Sequence, residues 1–287
     1  ILTQEYLQRQ NKGGISYTYS AQPRAFEPFK NVRSFEAPYL RWLKDFNLTL
    51  VPSLVSIRTD MDRSYIKTQL RSSDLTTNGI LPQFEKYFLF NRYYDLTWNL
   101  TRSLVLTYHA QANAIIDEPA GDINTQAKRD SIWNSIKHLG RIKNFVQDIR
   151  ATYRLPLDKI PLLDWIAADA TYGVGYQFQA NSFGIADSLG VPFGNIIRNN
   201  RERGVTGRVD LIRLYNKIRY LRFANTPAPV RKNFARNPGD IEEIERGDSK
   251  VLKNFTRALL TVRGINFSYN LQESTILPGF LPSPKLF

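Results

Sequence analysis

The sequence contains no cysteine and only two histidines in 287 residues. The absence of cysteine excludes a disulfide scaffold, a thiolate metal site and a cysteine nucleophile. No uninterrupted apolar run approaches about 18 residues, which excludes a helical membrane span. The opening Ile1-Leu2-Thr3-Gln4 carries neither an initiator methionine nor a signal-peptide pattern. We therefore expect residues 1–287 to be an internal fragment of a longer chain.

The composition predicts a folded chain, since 42% of the residues are hydrophobic and 13% are aromatic. The formal net charge of +13 raises nucleic-acid binding as a first hypothesis. However, the basic residues are spread along the whole chain, and the sequence has no aromatic RNP-like strand, helix-turn-helix or phosphate-binding glycine loop. We therefore expect no nucleic-acid partner and interpret the charge as solvated basic loops.

Strict alternation of apolar and polar residues is the dominant pattern. Along 168–181, apolar side chains at even positions interleave with polar residues or glycine at odd positions. Successive side chains of a strand point to opposite faces, so this pattern predicts a long strand with one apolar face. The same reading predicts about eight strands in all: 14–20, 54–70, 83–100, 103–114, 143–155, 166–180, 200–214 and 262–272.

Two architectures produce long alternating strands, a soluble sandwich or barrel and a transmembrane β-barrel. The polar faces here consist mainly of Asn, Gln, Thr, Ser, Asp and Gly, which suits a hydrated lumen better than an open solvent face. Aromatic residues toward strand ends resemble interfacial girdles: Tyr87, Phe88, Phe90, Tyr93, Tyr94, Trp165 and Tyr172. We therefore predict an all-β fold, an antiparallel transmembrane β-barrel, with a soluble β protein as the alternative.

The alternation assigns side chains to two environments. We expect these to face lipid: Leu96, Trp98, Leu106, Tyr108, Ala170, Tyr172, Val174, Tyr176, Phe178, Ile265, Phe267 and Tyr269. We expect these to face a lumen: Thr97, Asn99, Thr107, His109, Gln111, Gln177, Gln179, Asn266, Ser268 and Asn270. Small inward residues such as Gly173 and Gly175 favour an arc of a very large barrel over a small, filled barrel.

The connections fall into two populations, which predicts the topology. Residues 100–103 and 156–164 are short links, whereas 115–142 and 181–199 are long and polar. Short turns at one rim and long loops at the other are typical of outer-membrane barrels, with the short side periplasmic.

Two longer connections, 21–46 and 215–261, interrupt the short side. Apolar residues near their ends recur at helical spacing, among them Leu40, Leu43, Leu252 and Phe255. This spacing predicts short periplasmic-side helices.

No constellation of residues indicates catalysis, a metal or a cofactor. His109 has only Gln111 and Asn113 beside it along its own strand face, and no GxSxG elbow is present. Asp60 and Asp62 are interpreted as parts of a wet lumen wall. We therefore expect a non-enzymatic protein.

Several ordered motifs carry a family resemblance over residues 46–287. They are FNRYYDLTWNLTRSLVLTYHAQANAIIDEP (90–119), KRDSIW (128–133), PLLDWIAADATY (161–172), LYNKIRYLR (214–222) and LLTVRGINFSYN (259–270) with LPGF (277–280). With these motifs the chain resembles the SprA/Sov family, the giant outer-membrane proteins of Bacteroidota associated with gliding motility and type IX secretion.

The resemblance implies a location in the bacterial outer membrane and a role as the protein-conducting translocon for folded cargo. It also implies partners: a PorV-type outer-membrane barrel, a periplasmic plug protein, the secreted cargo proteins and the lipid bilayer. Two alternatives stay open, a nutrient-uptake or porin-type outer-membrane barrel and a soluble all-β cell-surface adhesin.

Overall fold

The computed structural model describes residues 2–31, 45–72, 81–160, 162–181, 194–218 and 261–281. These contain eight strands: β1 Leu2–Ser20, β2 Leu54–Ser72, β3 Gln83–Asn99, β4 Leu104–Ile115, β5 Arg141–Leu155, β6 Ile166–Gln179, β7 Asn195–Asp210 and β8 Gly264–Phe280. They also contain helices α1 Gln126–Lys137 and α2 Leu211–Lys217 and a 3-10 turn, Leu157–Lys159.

The strands form one sheet in which each pairs antiparallel with the next along the chain, in the order β1 to β8. The predicted all-β antiparallel fold is thereby confirmed. Within the described residues β1 and β8 form the two edges and do not pair with each other, so the sheet is open.

Neighbouring strands run in opposite directions, so the connections between them lie alternately at the two rims formed by the strand ends. One of these rims, here called the turn edge, carries 21–53, 100–103, 156–165 and 211–263. The opposite edge, the loop edge, carries 73–82, 116–140 and 180–194. The short links 100–103 and 156–165 thus share the turn edge with the longer connections 21–53 and 211–263, while the polar connections 116–140 and 180–194 lie at the loop edge.

The shortest link, 100–103, is held by its own polar groups. The Thr101 hydroxyl oxygen accepts from the backbone N–H of Ser103 at 3.1 Å and of Leu104 at 2.8 Å. The Arg102 N–H donates to the Asn47 side chain at 2.7 Å, which ties the link to the neighbouring 21–53 connection. A threonine that accepts from the next residues is a common way to close a short turn.

The structure corrects several predicted boundaries. Strand β1 begins at Leu2 and not at residue 14, β7 begins at Asn195 and not at 200, and β8 extends to Phe280 and not to 272. Helix α1 lies inside 115–142, which the sequence predicted to be a long polar loop; Thr125 caps it by accepting from the Lys128 N–H. Strand β7 ends at Asp210 and not at residue 214, because the Asp210 carboxylate accepts from the Arg213 N–H at 3.2 Å and starts α2. The two predicted periplasmic-side helices fall mainly on residues outside the described ranges, and Phe46, which is described, is not helical.

Glycine is required where α1 returns to β5. Gly140 has φ +72°, and a Cβ built there would lie 2.9 Å from the Ile115 carbonyl oxygen. Gly121 also has positive φ, +74°, but its nearest neighbour would be the Lys128 ammonium at 3.7 Å. The two glycines share a backbone conformation and differ in crowding.

We expect Gly140→Ala to lower the free energy of unfolding by about 2–3 kcal/mol, since the left-handed conformation costs about 1–2 kcal/mol and the crowded carbonyl adds to it. Gly121→Ala, with only the conformational cost, should lose about 1 kcal/mol. Denaturant unfolding of both variants measures the difference. Equal losses would show that crowding at Gly140 contributes nothing.

Candidate functional surfaces

The strand register places every side chain of the sheet on one of two faces, because directly paired residues of antiparallel strands point to the same side. One row runs Trp98, Leu106, Ala151, Tyr172 across β3 to β6. The next row on the same face runs Leu104, Tyr153, Ala170, Val205 and Tyr269. We call this the apolar face and its reverse the polar face.

All the side chains predicted to face lipid lie on the apolar face, and all those predicted to face a lumen lie on the polar face. Direct cross-strand pairing connects the polar-face residues from β3 to β8, through pairs such as Thr97–Thr107, Thr107–Arg150 and Arg208–Asn266. The partition expected along each strand is therefore kept across the sheet.

An apolar band crosses the apolar face next to the turn edge. On β6 it extends from Ile166 to Val174, with Tyr176 above it. The eight residue steps from 166 to 174 span about 26 Å, and a tilt of about 40° reduces this to a height of about 20 Å. The apolar band of an outer-membrane barrel is about 25 Å high.

The upper boundary of this band lies in different cross-strand rows on different strands. It lies at Met61 on β2, follows one directly paired row through Tyr108, Ile149 and Val174, and lies at Leu271 on β8. Counted by rows, it falls by six residues between β2 and β4, stays level to β6 and falls by two more to β8, in total about 26 Å over six strand spacings of about 4.8 Å. The mean slope from β2 to β8 is about 42°, and most of the fall lies between β2 and β4.

Part of the apolar face above the band is covered by protein. Phe145, Phe178 and Ile197 lie in one cross-strand row and form a buried cluster with Ala110 and Ala112. Phe178 is 2% exposed. The assignment of Phe178 to lipid is therefore corrected: it lies on the predicted face, yet its ring packs against other side chains of the protein.

The predicted aromatic girdle is also corrected. Tyr87 and Tyr93 lie on the polar face, because they pair with Ser64 and Arg58. Phe88 and Phe90 lie on the apolar face but are buried in a second cluster, against which Ile132 and Ile136 of α1 pack.

Two aromatic residues that were predicted to face lipid, Trp98 and Tyr172, lie in one cross-strand row of the apolar face. Trp98 lies on the apolar face and its indole N–H donates to the Thr49 carbonyl at 2.8 Å. Tyr172 also lies on this face and is exposed.

The polar face carries charges in opposed pairs. Arg150 donates to Glu202 at 2.8 Å, Arg58 lies 2.7 Å from Asp60, and Lys12 lies 3.3 Å from Asp62. Asp60 and Asp62, which the sequence predicted to be lumen-wall residues, thus each form an ion pair with a basic side chain of this face. The result is a hydrophilic surface with little unbalanced charge along these strands.

His109 has neighbours that the sequence alone did not show. Its Nδ1 shares a hydrogen bond with the Asp95 carboxylate, and it pairs across the sheet with both Asp95 and Asp148. Cross-strand partners depend on the register, which reading one strand at a time does not provide. Among the residues that the structure describes, no group of three or more His, Cys, Asp or Glu side chains is arranged to hold a metal ion.

The 116–140 connection folds back over the apolar face at the loop edge. Lys86 on β3 donates to the Pro119 carbonyl at 2.8 Å, and Lys128 of α1 donates to the carbonyls of Ala120 and Asp122 at 2.9 and 2.8 Å. Arg63 pairs with the buried Glu118 carboxylate. These contacts attach the connection to β2 and β3 beyond the apolar band.

Two carboxylates of this connection have shifted acidities. Arg141 donates to both oxygens of Asp117, at 3.0 and 2.9 Å, and this hydrogen bonding holds the pKa of Asp117 below its usual value. A hydrogen bond from Tyr65, aided by Lys67, likewise lowers the pKa of Asp122. Both contacts favour the ionised carboxylate.

We expect the connection to loosen in acid. A lowered folded pKa contributes stability above the unfolded value of about 4, and this stability is lost as the pH falls through the lower folded value. Hydrogen exchange of 116–140, corrected for intrinsic rates, should therefore show less protection at about pH 3 than at about pH 6. Asp117→Asn should reduce the difference, and an unchanged difference would exclude Asp117 from it.

Within the described ranges, no helix combines the length and the apolar character that crossing a membrane requires. The chain has no significant match among protein-family models or among curated proteins.

Proposed function

We propose that this chain is an arc of a large outer-membrane β-barrel that serves as the channel wall of the type IX secretion translocon and passes folded cargo to the cell surface. The observation that carries the proposal is the partition of the sheet into an apolar and a polar face that the cross-strand register keeps from β3 to β8. The boundary of the apolar band also falls by eight residues, counted by rows, from β2 to β8. A net offset of this direction supports strands that cross a flat bilayer at a tilt.

The height of the band supports the same reading. On β6 the band is about 20 Å high, which covers most of the apolar layer of about 25 Å that a barrel wall presents to lipid. Strand-to-strand pairing satisfies the backbone groups inside that layer. The two edge strands, β1 and β8, leave unpaired backbone groups, and we propose that further strands of a longer chain pair with them.

The polar face supports a conduit. Its charges lie in opposed pairs, and its remaining side chains are mostly Asn, Gln, Thr and Ser, so a passing protein meets a hydrated wall without a strong field. The specific role in type IX secretion, with a PorV-type barrel and a periplasmic plug protein as partners, rests on the resemblance of the sequence motifs to the SprA/Sov family.

Deleting the full-length gene tests the transport role. We expect secreted cargo to accumulate folded in the periplasm and to disappear from the cell surface, while nutrient uptake through other barrels continues. Loss of uptake of one nutrient with normal secretion would favour a porin-type or uptake barrel instead. Normal secretion and uptake with loss of surface adhesion would favour an adhesin.

Partition and heat-modifiable gel migration test the membrane reading separately. An outer-membrane barrel should enter detergent extracts and migrate differently before and after boiling. Recovery in the aqueous fraction without detergent would contradict it.

A further inference from the structure

A groove of about 860 Å³ lies between the apolar face and the 116–140 connection at the loop edge. Strands β1, β2 and β3 form its floor with residues such as Met61 and Phe88, and α1 forms a wall with Ile132 and Trp133. Met61 is also the upper limit of the apolar band on β2. The groove is therefore continuous with the surface that, under the proposed function, contacts acyl chains.

The groove is positively charged. Its lining includes Arg9, Arg63, Lys67 and Arg129, against a single carboxylate, Asp122. Arg63 pairs with Glu118, and Lys67 lies 3.4 Å from Asp122, so these cations are partly neutralised. Arg9 and Arg129 have no ion pair with any of the residues that the structure describes.

Two guanidinium groups without an ion pair line the same groove as the apolar side chains Leu7, Met61 and Phe88, and this combination suits one kind of ligand. Guanidinium binds phosphate oxygens in a bidentate geometry. Asp122 repels an anion less than an isolated carboxylate would, because Tyr65 and Lys67 bind it. Trp133 is 62% exposed on α1, and tryptophan is enriched at the interface between lipid and water.

We propose that this groove binds a phosphorylated lipid of the outer leaflet, with its phosphate between Arg9 and Arg129 and its acyl chains along the floor toward Met61. The proposal rests on the membrane orientation of the proposed function. It assigns the 116–140 connection a role in fixing the wall to the membrane surface.

The test uses the purified full-length protein, with dioleoylphosphatidic acid presented in mixed micelles as the probe. Dioleoylphosphatidylcholine has the same chains with a zwitterionic headgroup, and inorganic phosphate has the charge without chains. We expect the phosphatidic acid to bind in preference to phosphatidylcholine and to resist excess inorganic phosphate. Equal binding of the two lipids, or complete displacement by phosphate, would overturn the lipid site.

Matched variants locate the site. The double variant Arg9→Gln/Arg129→Gln should weaken phosphatidic acid binding about tenfold or more, since two charge-assisted contacts are lost. Arg213→Gln/Lys217→Gln removes the same charge at the turn edge and should change binding less than about twofold. Equal effects of the two pairs would contradict the assignment to the groove.

A photo-crosslinker in place of Trp133 identifies the occupant in intact membranes. Crosslinks to lipid support the proposal, and crosslinks only to another polypeptide overturn it. Heat-modifiable migration of the same samples distinguishes a failure of the proposed function from a failure of the lipid site alone. Protein that does not insert overturns the proposed function as well, whereas inserted protein without groove-dependent lipid binding overturns only the lipid site.

Discussion

Ala170→Arg should destabilise the protein in its membrane by about 2–4 kcal/mol, the cost of an arginine on the lipid face near the bilayer midplane. Ala170 lies in the middle of the apolar band on β6, and its cross-strand neighbours Tyr153 and Val205 offer no counter-charge. Reversible unfolding of the full-length protein from lipid vesicles measures the loss.

Thr171→Arg is the matched control on the same strand. Thr171 points to the polar face, between Thr152 and Gly204. In a hydrated lumen this arginine should change the free energy of unfolding by less than about 1 kcal/mol. If both variants lose the same stability, the two faces do not differ in their surroundings and the proposed wall is wrong.

Phe145→Ala should cost about 3–5 kcal/mol, as for other fully buried phenylalanines. Phe145 is 0% exposed and packs in one row with Phe178, and its ring centroid lies 6.1 Å from that of Tyr176. Truncation leaves a cavity that neither water nor lipid fills cheaply. The loss is read from denaturant unfolding of the variant.

Phe145→Leu keeps most of the volume and should cost less than about 1.5 kcal/mol. A small loss for Phe145→Ala would mean that lipid enters the space. The cluster would then belong to the lipid-facing surface, and the original assignment of Phe178 would be restored.

Alternation along the chain was sufficient to predict most of the sheet. The 168–181 pattern gave β6 and its two faces, and Leu96 with Tyr108 were correctly placed on one face from separate strands. Side-chain alternation is a local property of an extended backbone, so no knowledge of partners is needed.

Features that depend on partners were missed. The pairing of His109 with Asp95 and Asp148 depends on register. The burial of Phe178 depends on which side chains cover the sheet. An alternating apolar position has the same sequence pattern whether it faces lipid or a protein core.

Helix α1 was missed for a different reason. Its sequence, QAKRDSIWNSIK, is mostly polar, and only Ile132 and Ile136 recur at helical spacing toward the sheet. Polar composition favoured a loop. The Thr125 cap, which accepts from the Lys128 N–H, was the available signal for a helix start.

The central claim is that the apolar band meets lipid and that the polar face meets water. Spin labels are attached at single cysteines introduced along β6 of the full-length protein in native membranes, after replacement of any cysteine outside residues 1–287, which contain none. Collisions with oxygen report lipid, and collisions with a water-soluble nickel chelate report water. We predict high oxygen and low nickel accessibility at Ala170 and Val174, and the reverse at Thr171 and Gln177. Low accessibility to both reagents at Ala170 and Val174 would indicate a packed protein core and contradict the account.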